Sequence, residues 1–229
     1  MQQKQNIHPL IAFLGNVALD LMGIKQNTVD GSVVPELGEI PCITGLRRKT
    51  GAVLLFLGAR ETGNTTEMLR IAEIIGRPTY GVFPEQKPPS WVKELKFKDL
   101  DREPPPFSTL LIDDIGSQKG ALGKRDYFDP YTQVIERLIP VVRHKRKLIL
   151  MFRAQTSKQA DISIFDADLV SFKALSPLWL DSNRPGVARV YKDIDPEFKK
   201  MSEHQQLTHC YLVHRAWQGW ASIALPRMG

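Results

Sequence analysis

The stretch FLGARETGNTT, residues 56 to 66, limits what this chain can fold into more than any other. An apolar run enters Gly58, four residues pass, and Gly63 follows with Asn64, Thr65 and Thr66 behind it. That is the spacing of the phosphate-binding loop G-x-x-x-x-G-K-[ST], with asparagine where the motif has lysine. A strand turning tightly into a helix aims several backbone N–H groups at one spot, and the helix dipole adds partial positive charge there. Gly58 and Gly63 permit the turn and the close approach of a phosphate. In such a loop the next hydroxyl, here Thr65, holds Mg²⁺. By itself the string fits a plain strand-turn-helix equally well.

The surroundings favour an α/β fold. AVLLFLG (52–58) is a continuous apolar run of the kind found in a strand covered on both faces. NTTEMLRIAEIIG has helical periodicity and closes on Gly76, a C-cap candidate. PTYGVF, STLLIDDIG, KLILMFRAQTS and ADLVSFKAL read as further strands. A helix is expected over YTQVIERLIPVVRH despite Pro140, whereas KPPSWVKELKFKDLDREPPPF gives no clear pattern. CYLVHRAWQGWASIALP reads as a terminal hairpin with Gln218-Gly219 near its turn. Strands alternating with helices predict a mostly parallel sheet flanked by helices. Residues 1–50 read as a lead-in segment and 51–229 as the core domain.

Composition agrees with a globular chain. Of 229 residues 42% are hydrophobic and 24% charged, enough to bury a core. A net charge of +6 permits a polyanionic partner without requiring one. Cys42 and Cys210 lie too far apart in sequence to suggest a disulfide framework, which points to a reducing cytoplasm. HPLIAFLGNVALDLMGI, residues 8 to 24, has its apolar residues at helical spacing. Asn16 and Asp20 interrupt it and it is short for a bilayer span, so a docking helix is expected and no stable membrane insertion.

The second motif is TLLIDDI, which sets Asp113 and Asp114 at the end of an apolar strand roughly 50 residues beyond the loop. Carboxylates there are costly unless something pairs with them, and a metal ion does so well. In a P-loop enzyme the first acid, Asp113, orients Mg²⁺ through its water, and the second, Asp114, acts as general base on the attacking water.

With both motifs in order, the chain resembles P-loop NTPases of the RecA-like ASCE division, and within them the FtsK/HerA superfamily of genome-packaging ATPases and DNA translocases. GARETGNTT, TLLIDDIG and KLILMFRAQTS carry the likeness, with Gln155 ending the last strand as that family's polar sensor does. The likeness implies a twisted, mostly parallel sheet, a homo-oligomeric and commonly hexameric ring, duplex DNA as partner, and ATP with Mg²⁺ as ligands. Viral capsid or plasmid-transfer proteins are further partners of such motors, placing the chain in the cytoplasm or, for a viral owner, with the virion. It implies that Gly58, Arg60, Glu61, Thr62, Gly63, Asn64, Thr65 and Thr66 surround the nucleotide, that Thr65 and Asp113 hold the metal, and that Asp114 and Gln155 are catalytic.

Departures from the family loop bear on activity. Its usual form is G-x-x-G-x-G-K-[ST], so Glu61 replaces a glycine and Asn64 the lysine. Losing the lysine removes a cation from the charge that develops in phosphoryl transfer. Arg60, or a basic residue of a neighbouring subunit, is the candidate replacement. RHKRK, residues 143 to 147, makes Arg143 and Arg146 arginine-finger candidates, with DNA phosphates or plain solvent as the other reading of their charge. Lys119, Lys124 and Arg125 sit in a glycine-rich stretch suited to gripping a DNA backbone. His204, His209, Cys210 and His214 argue little for a metal, because neighbouring strand positions 209 and 210 face opposite ways. Trp217 and Trp220 read as hairpin packing. Two alternatives to an active motor stay open: a pseudo-ATPase serving as a DNA-binding or assembly factor, and a helicase loader of the DnaC/IstB kind.

Overall fold

A computed structural model describes residues 28–29, 32–84, 86–100, 104–113, 137–155, 167–175 and 185–225. The expected helix over 8–24, Asp114 and the glycine-rich stretch with Lys119, Lys124 and Arg125 lie outside them. So does the first part of the expected helix over 131–144, of which residues 137–141 are helical and Val142–Arg146 form a π-turn.

The strands are β1 (Thr28–Val29), β2 (Ser32–Val33), β3 (Ala52–Leu57), β4 (Thr79–Val82), β5 (Val92–Glu94), β6 (Thr109–Ile112), β7 (Ile149–Ala154), β8 (Leu169–Phe172), β9 (His209–His214) and β10 (Trp217–Ser222). The helices are α1 (Pro41–Thr44), α2 (Asn64–Ile75), α3 (Pro185–Lys200) and α4 (Glu203–Thr208). Strands β3 to β10 form one eight-stranded sheet in the order β10-β9-β8-β3-β7-β6-β4-β5. From β8 to β5 every pairing is parallel, while β9 and β10 close the other side as an antiparallel hairpin. The pattern is the mixed α/β fold expected, with one feature that matters below. β7 lies between β3, which leads into the phosphate loop, and β6, which ends in the paired aspartates.

Hydrophobic burial on both faces explains the apolar strands. Val53, Leu55 and Leu57 of β3 pack with Leu150, Phe152, Tyr191 and Phe198 on one side. Ala52, Leu54 and Phe56 face Met68, Ile71 and Ile75 of α2 on the other. Helix α2 ends on Gly76, which takes a left-handed φ of 68° and caps it with a bond to Ala72 O. The lead-in is part of this second core. Leu37, Ile40, Ile43 and Leu46 are buried beside α2, on short 3₁₀ and α turns. Their spacing of three residues suits a 3₁₀ turn, in which side chains at i and i+3 line up. Ser222 N bonds Pro35 O at 2.8 Å, which ties the same segment to β10.

Two details differ from the sequence reading. The hairpin turns at Arg215-Ala216, with Trp217 opposite His214; Gln218 and Gly219 lie inside β10, opposite Val213 and Leu212. The His214 ring accepts the Ala216 N–H at 3.1 Å and closes the turn without the glycine. The unpatterned stretch after residue 86 contributes the edge strand β5 and a 3₁₀ turn at Phe97–Asp99.

The edge of the sheet where the parallel strands begin is tied by Asp168. Its carboxylate accepts the Val53 N–H at 2.9 Å and pairs with Arg143 at 3.0 Å and Lys49 at 3.6 Å. Burial pushes this carboxyl up, yet the Val53 bond and the two cations outweigh it and hold it below its ordinary value. Arg146 bonds Pro104 O at 2.9 Å on the same edge.

Candidate functional site

The opposite edge, where the parallel strands end, carries the loop. Leu57 leads into Gly58, whose N–H bonds Ala154 O at 3.3 Å, and Gly63 caps α2 in a left-handed conformation with φ 84°. A Cβ on Gly63 would stand 2.6 Å from Leu207 O, so no larger residue fits there. Glu61 takes a glycine-like φ of 62°. That conformation costs an L-residue about 1–2 kcal/mol. Glu61→Gly should therefore raise stability by about 1 kcal/mol, less the freedom glycine gains in the unfolded chain. Glu61→Ala, which removes the charge but keeps the Cβ, should show no such gain in a urea titration.

Asn64 occupies the lysine position and is nearly fully buried. Its amide donates to Thr62 Oγ1 at 3.1 Å and Ala59 O at 3.3 Å, while its Oδ1 is buried without a partner. The side chain thus stays inside the loop. Thr62 bonds Ala59 O at 2.8 Å and tightens the same turn. Arg60 and Glu61 are exposed, and Thr66 is half-buried.

Thr65 and Asp113 meet. The threonine hydroxyl lies 3.1 and 3.2 Å from the two carboxylate oxygens. Asp113 is buried, at the end of β6, and also receives Arg153 Nη1 at 3.1 Å and Gln86 Nε2 at 3.5 Å. Arg153 comes from β7 between them and is itself only 6% exposed, with Nε buried and unpartnered. Gln155 follows β7 directly, next to Gly58 in the sheet order. A hydroxyl, a carboxylate and a row of amides at a helix N-terminus are a donor set that suits a hard cation and a phosphate. Arg153 Nε, a buried donor without a partner, suits an acceptor such as a phosphate oxygen. Arg143 and Arg146 are not brought to it. They precede β7, whose six residues span about 20 Å, and so sit at the far end of the sheet.

Behind the loop lies a second buried polar group that sequence reasoning missed. Glu67, on the inner face of α2, accepts from Ser171 Oγ at 2.6 Å. Lys173, at the end of β8, donates 2.7 Å bonds to Leu207 O and His209 O. Both are fully buried. Burial raises the Glu67 carboxyl, opposed by Lys173 and Ser171, and lowers the Lys173 ammonium, opposed by Glu67. A Cβ on Gly58 would meet Lys173 Cβ at 2.6 Å, so the lysine runs directly under the loop. Signals for these residues exist in the sequence. Arg153 and Lys173 are lone charges within or just after apolar strands, and Glu67 shares a helical face with Ile71 and Ile74.

Among the described residues no helix is long and apolar enough to cross a membrane. No protein-family model matches the chain, and no curated protein matches it in sequence. Solved structures do resemble it in fold. The DNA-packaging ATPase B204 of Sulfolobus Turreted Icosahedral Virus superposes with a TM-score of 0.51 at 10% identity, over 76% of this chain and 98% of that one. The genome packaging NTPase B204 of Sulfolobus turreted icosahedral virus 2, in complex with sulfate, gives 0.52 at 11% identity, over 78% and 100%. Its complex with ATP-gammaS gives 0.50 at 10%, over 76% and 98%. The likeness is one of fold, the fold of a P-loop packaging NTPase.

Proposed function

We propose that this chain binds a nucleoside triphosphate with Mg²⁺ at the N-terminus of α2 and hydrolyses it to move duplex DNA, as one subunit of a homo-oligomeric, hexamer-like ring. The observation that carries the reading is the contact between Thr65 and Asp113. Two residues from different sequence motifs stand within hydrogen-bond reach beside the loop. The packaging enzymes of similar fold support the coupling to DNA.

In this reading the amides of residues 61–66 would orient the phosphates, and Thr65 and Asp113 would hold the metal. Bound Mg²⁺ supplies neutralisation of the charge that builds on the terminal phosphoryl group. Asp114 positions a water and accepts its proton, and Gln155 contacts the terminal phosphate. Arg143 and Arg146 serve only a neighbouring subunit's site, since their own lies across the sheet. The glycine-rich stretch with Lys119, Lys124 and Arg125 contacts the DNA backbone.

A second reading, a nucleotide-binding subunit without turnover, is favoured by Asn64, which brings no cation to the loop. Mg²⁺-dependent ATP hydrolysis with and without duplex DNA separates the two. DNA-stimulated turnover that disappears in Asp114→Asn supports the motor. Background activity in parent and Asp114→Asn alike, rising in Asn64→Lys, supports the second reading.

A further inference from the structure

A phosphate loop without its lysine needs positive charge from elsewhere, and few side chains are placed to give it. Asn64 is neutral and turned into the loop. Arg60 is exposed on the loop surface. Lys173 lies below the loop but is committed to two main-chain carbonyls and to the charge of Glu67.

Arg153 is placed differently. It reaches the site from the strand between the loop and the carboxylate, and it is buried. Its Nη1 bonds the same Asp113 oxygen, Oδ1, that lies near the Thr65 hydroxyl. Guanidinium and hydroxyl therefore stand within two hydrogen-bond lengths of each other, beside the first turn of α2. A guanidinium offers five N–H donors in a fixed fork, and here the Nε donor is buried and unpartnered. Asp113 meets part of its hydrogen-bonding demand. A phosphate group, with several acceptor oxygens and a geometry that accepts paired N–H donors, would meet the rest.

We infer that Arg153 replaces the missing lysine as the cation that meets the terminal phosphates, exchanging its bond to Asp113 for phosphate oxygens as nucleotide and metal enter. The inference rests on the nucleotide-site reading above. The exchange follows from charge. With a divalent cation held at Asp113, the guanidinium would lose its counter-charge there, and phosphate oxygens would supply a replacement. The Arg153–Asp113 pair acts as a placeholder that keeps both groups desolvated and aimed while the site waits.

Calorimetric titration of the full chain with ATPγS and with AMP, both in excess Mg²⁺, tests this. Arg153→Gln should weaken ATPγS by about tenfold to a hundredfold, the size of a lost charge-assisted contact. AMP, which lacks the terminal phosphates, should change little. Adding Asn64→Lys to Arg153→Gln should restore most of the ATPγS affinity. Equal weakening of both nucleotides would reduce Arg153 to a structural prop and overturn the proposal. Unchanged or tighter ATPγS binding in Arg153→Gln would overturn it too. Should that variant fold poorly, Arg153→Lys keeps the charge, and Asn64→Lys should then help it more than it helps the parent; equal gains would again overturn the inference. A parent that binds neither nucleotide would instead remove the nucleotide-site reading itself, and this inference with it.

Discussion

Asp113→Asn is expected to lower the unfolding free energy by about 3–5 kcal/mol, the cost of leaving a buried ion-pair partner alone. The substitution hardly changes shape, so packing contributes little to the loss. What changes is charge. The side chains of Asp113 and Arg153 are 3% and 7% exposed, so water cannot take over the solvation of a guanidinium whose carboxylate has become an amide. The Thr65 bond survives, because the asparagine oxygen still accepts it. Pairing Asp113→Asn with Arg153→Gln should recover most of the loss, since two neutral amides cost less to bury than one unpaired charge. Urea midpoints of the four proteins, compared at constant m-value, measure the coupling. An Asp113→Asn protein unfolding at the parent midpoint would mean that the pair does not sit in a dry site.

Lys173→Met should be similarly severe, and its effect should depend on pH. Methionine fills much the same volume but leaves Glu67 with only the neutral Ser171 hydroxyl and Cys210 thiol, and removes the donor from Leu207 O and His209 O. At neutral pH a loss of about 3–5 kcal/mol is expected for the uncompensated buried carboxylate. Glu67 is already raised by burial, and Lys173 is the charge that opposes the rise. Without it the folded value climbs further above the ordinary 4.5. A carboxyl raised in the folded state contributes stability that is complete below its unfolded value and disappears as pH rises through the folded one. Lys173→Met should therefore come closest to parent stability in mild acid and fall away towards neutrality. Adding Glu67→Gln should flatten that slope. Thermal melts from about pH 5 to pH 8 report it, and a deficit constant across the range would mean that Glu67 is not the group responsible.

Sequence and structure agree best where one strong force acts alone. The run Ala52–Leu57 is apolar on both faces, and nothing but a covered strand satisfies it. Gly76 caps α2 because the left-handed turn there admits little else. Agreement fails where local signals are weak or compete. The lead-in around Leu37 to Leu46 is punctuated by glycine and proline and repeats every three residues, so a search for helical spacing overlooks it. Glycine usually marks turns and so points to Gln218-Gly219, whereas the His214 ring closes the turn at Arg215-Ala216. In the site, motif spacing led to Thr65 and Asp113. Arg153 and the Glu67–Lys173 pair belong to no such pattern, and only the sheet order, with β7 between loop and carboxylate, brings Arg153 to the same oxygen as Thr65.

The carbonyl of Leu207 stands against Gly63 on one side and takes the Lys173 ammonium on the other. The loop thus has a hard stop at its back. It cannot widen without displacing the corner from which β9 departs, and that corner is pinned a second time at His209. Gly63, Lys173 and the start of β9 thus meet at one carbonyl, so the back of the loop and the root of the outer hairpin share a single anchor.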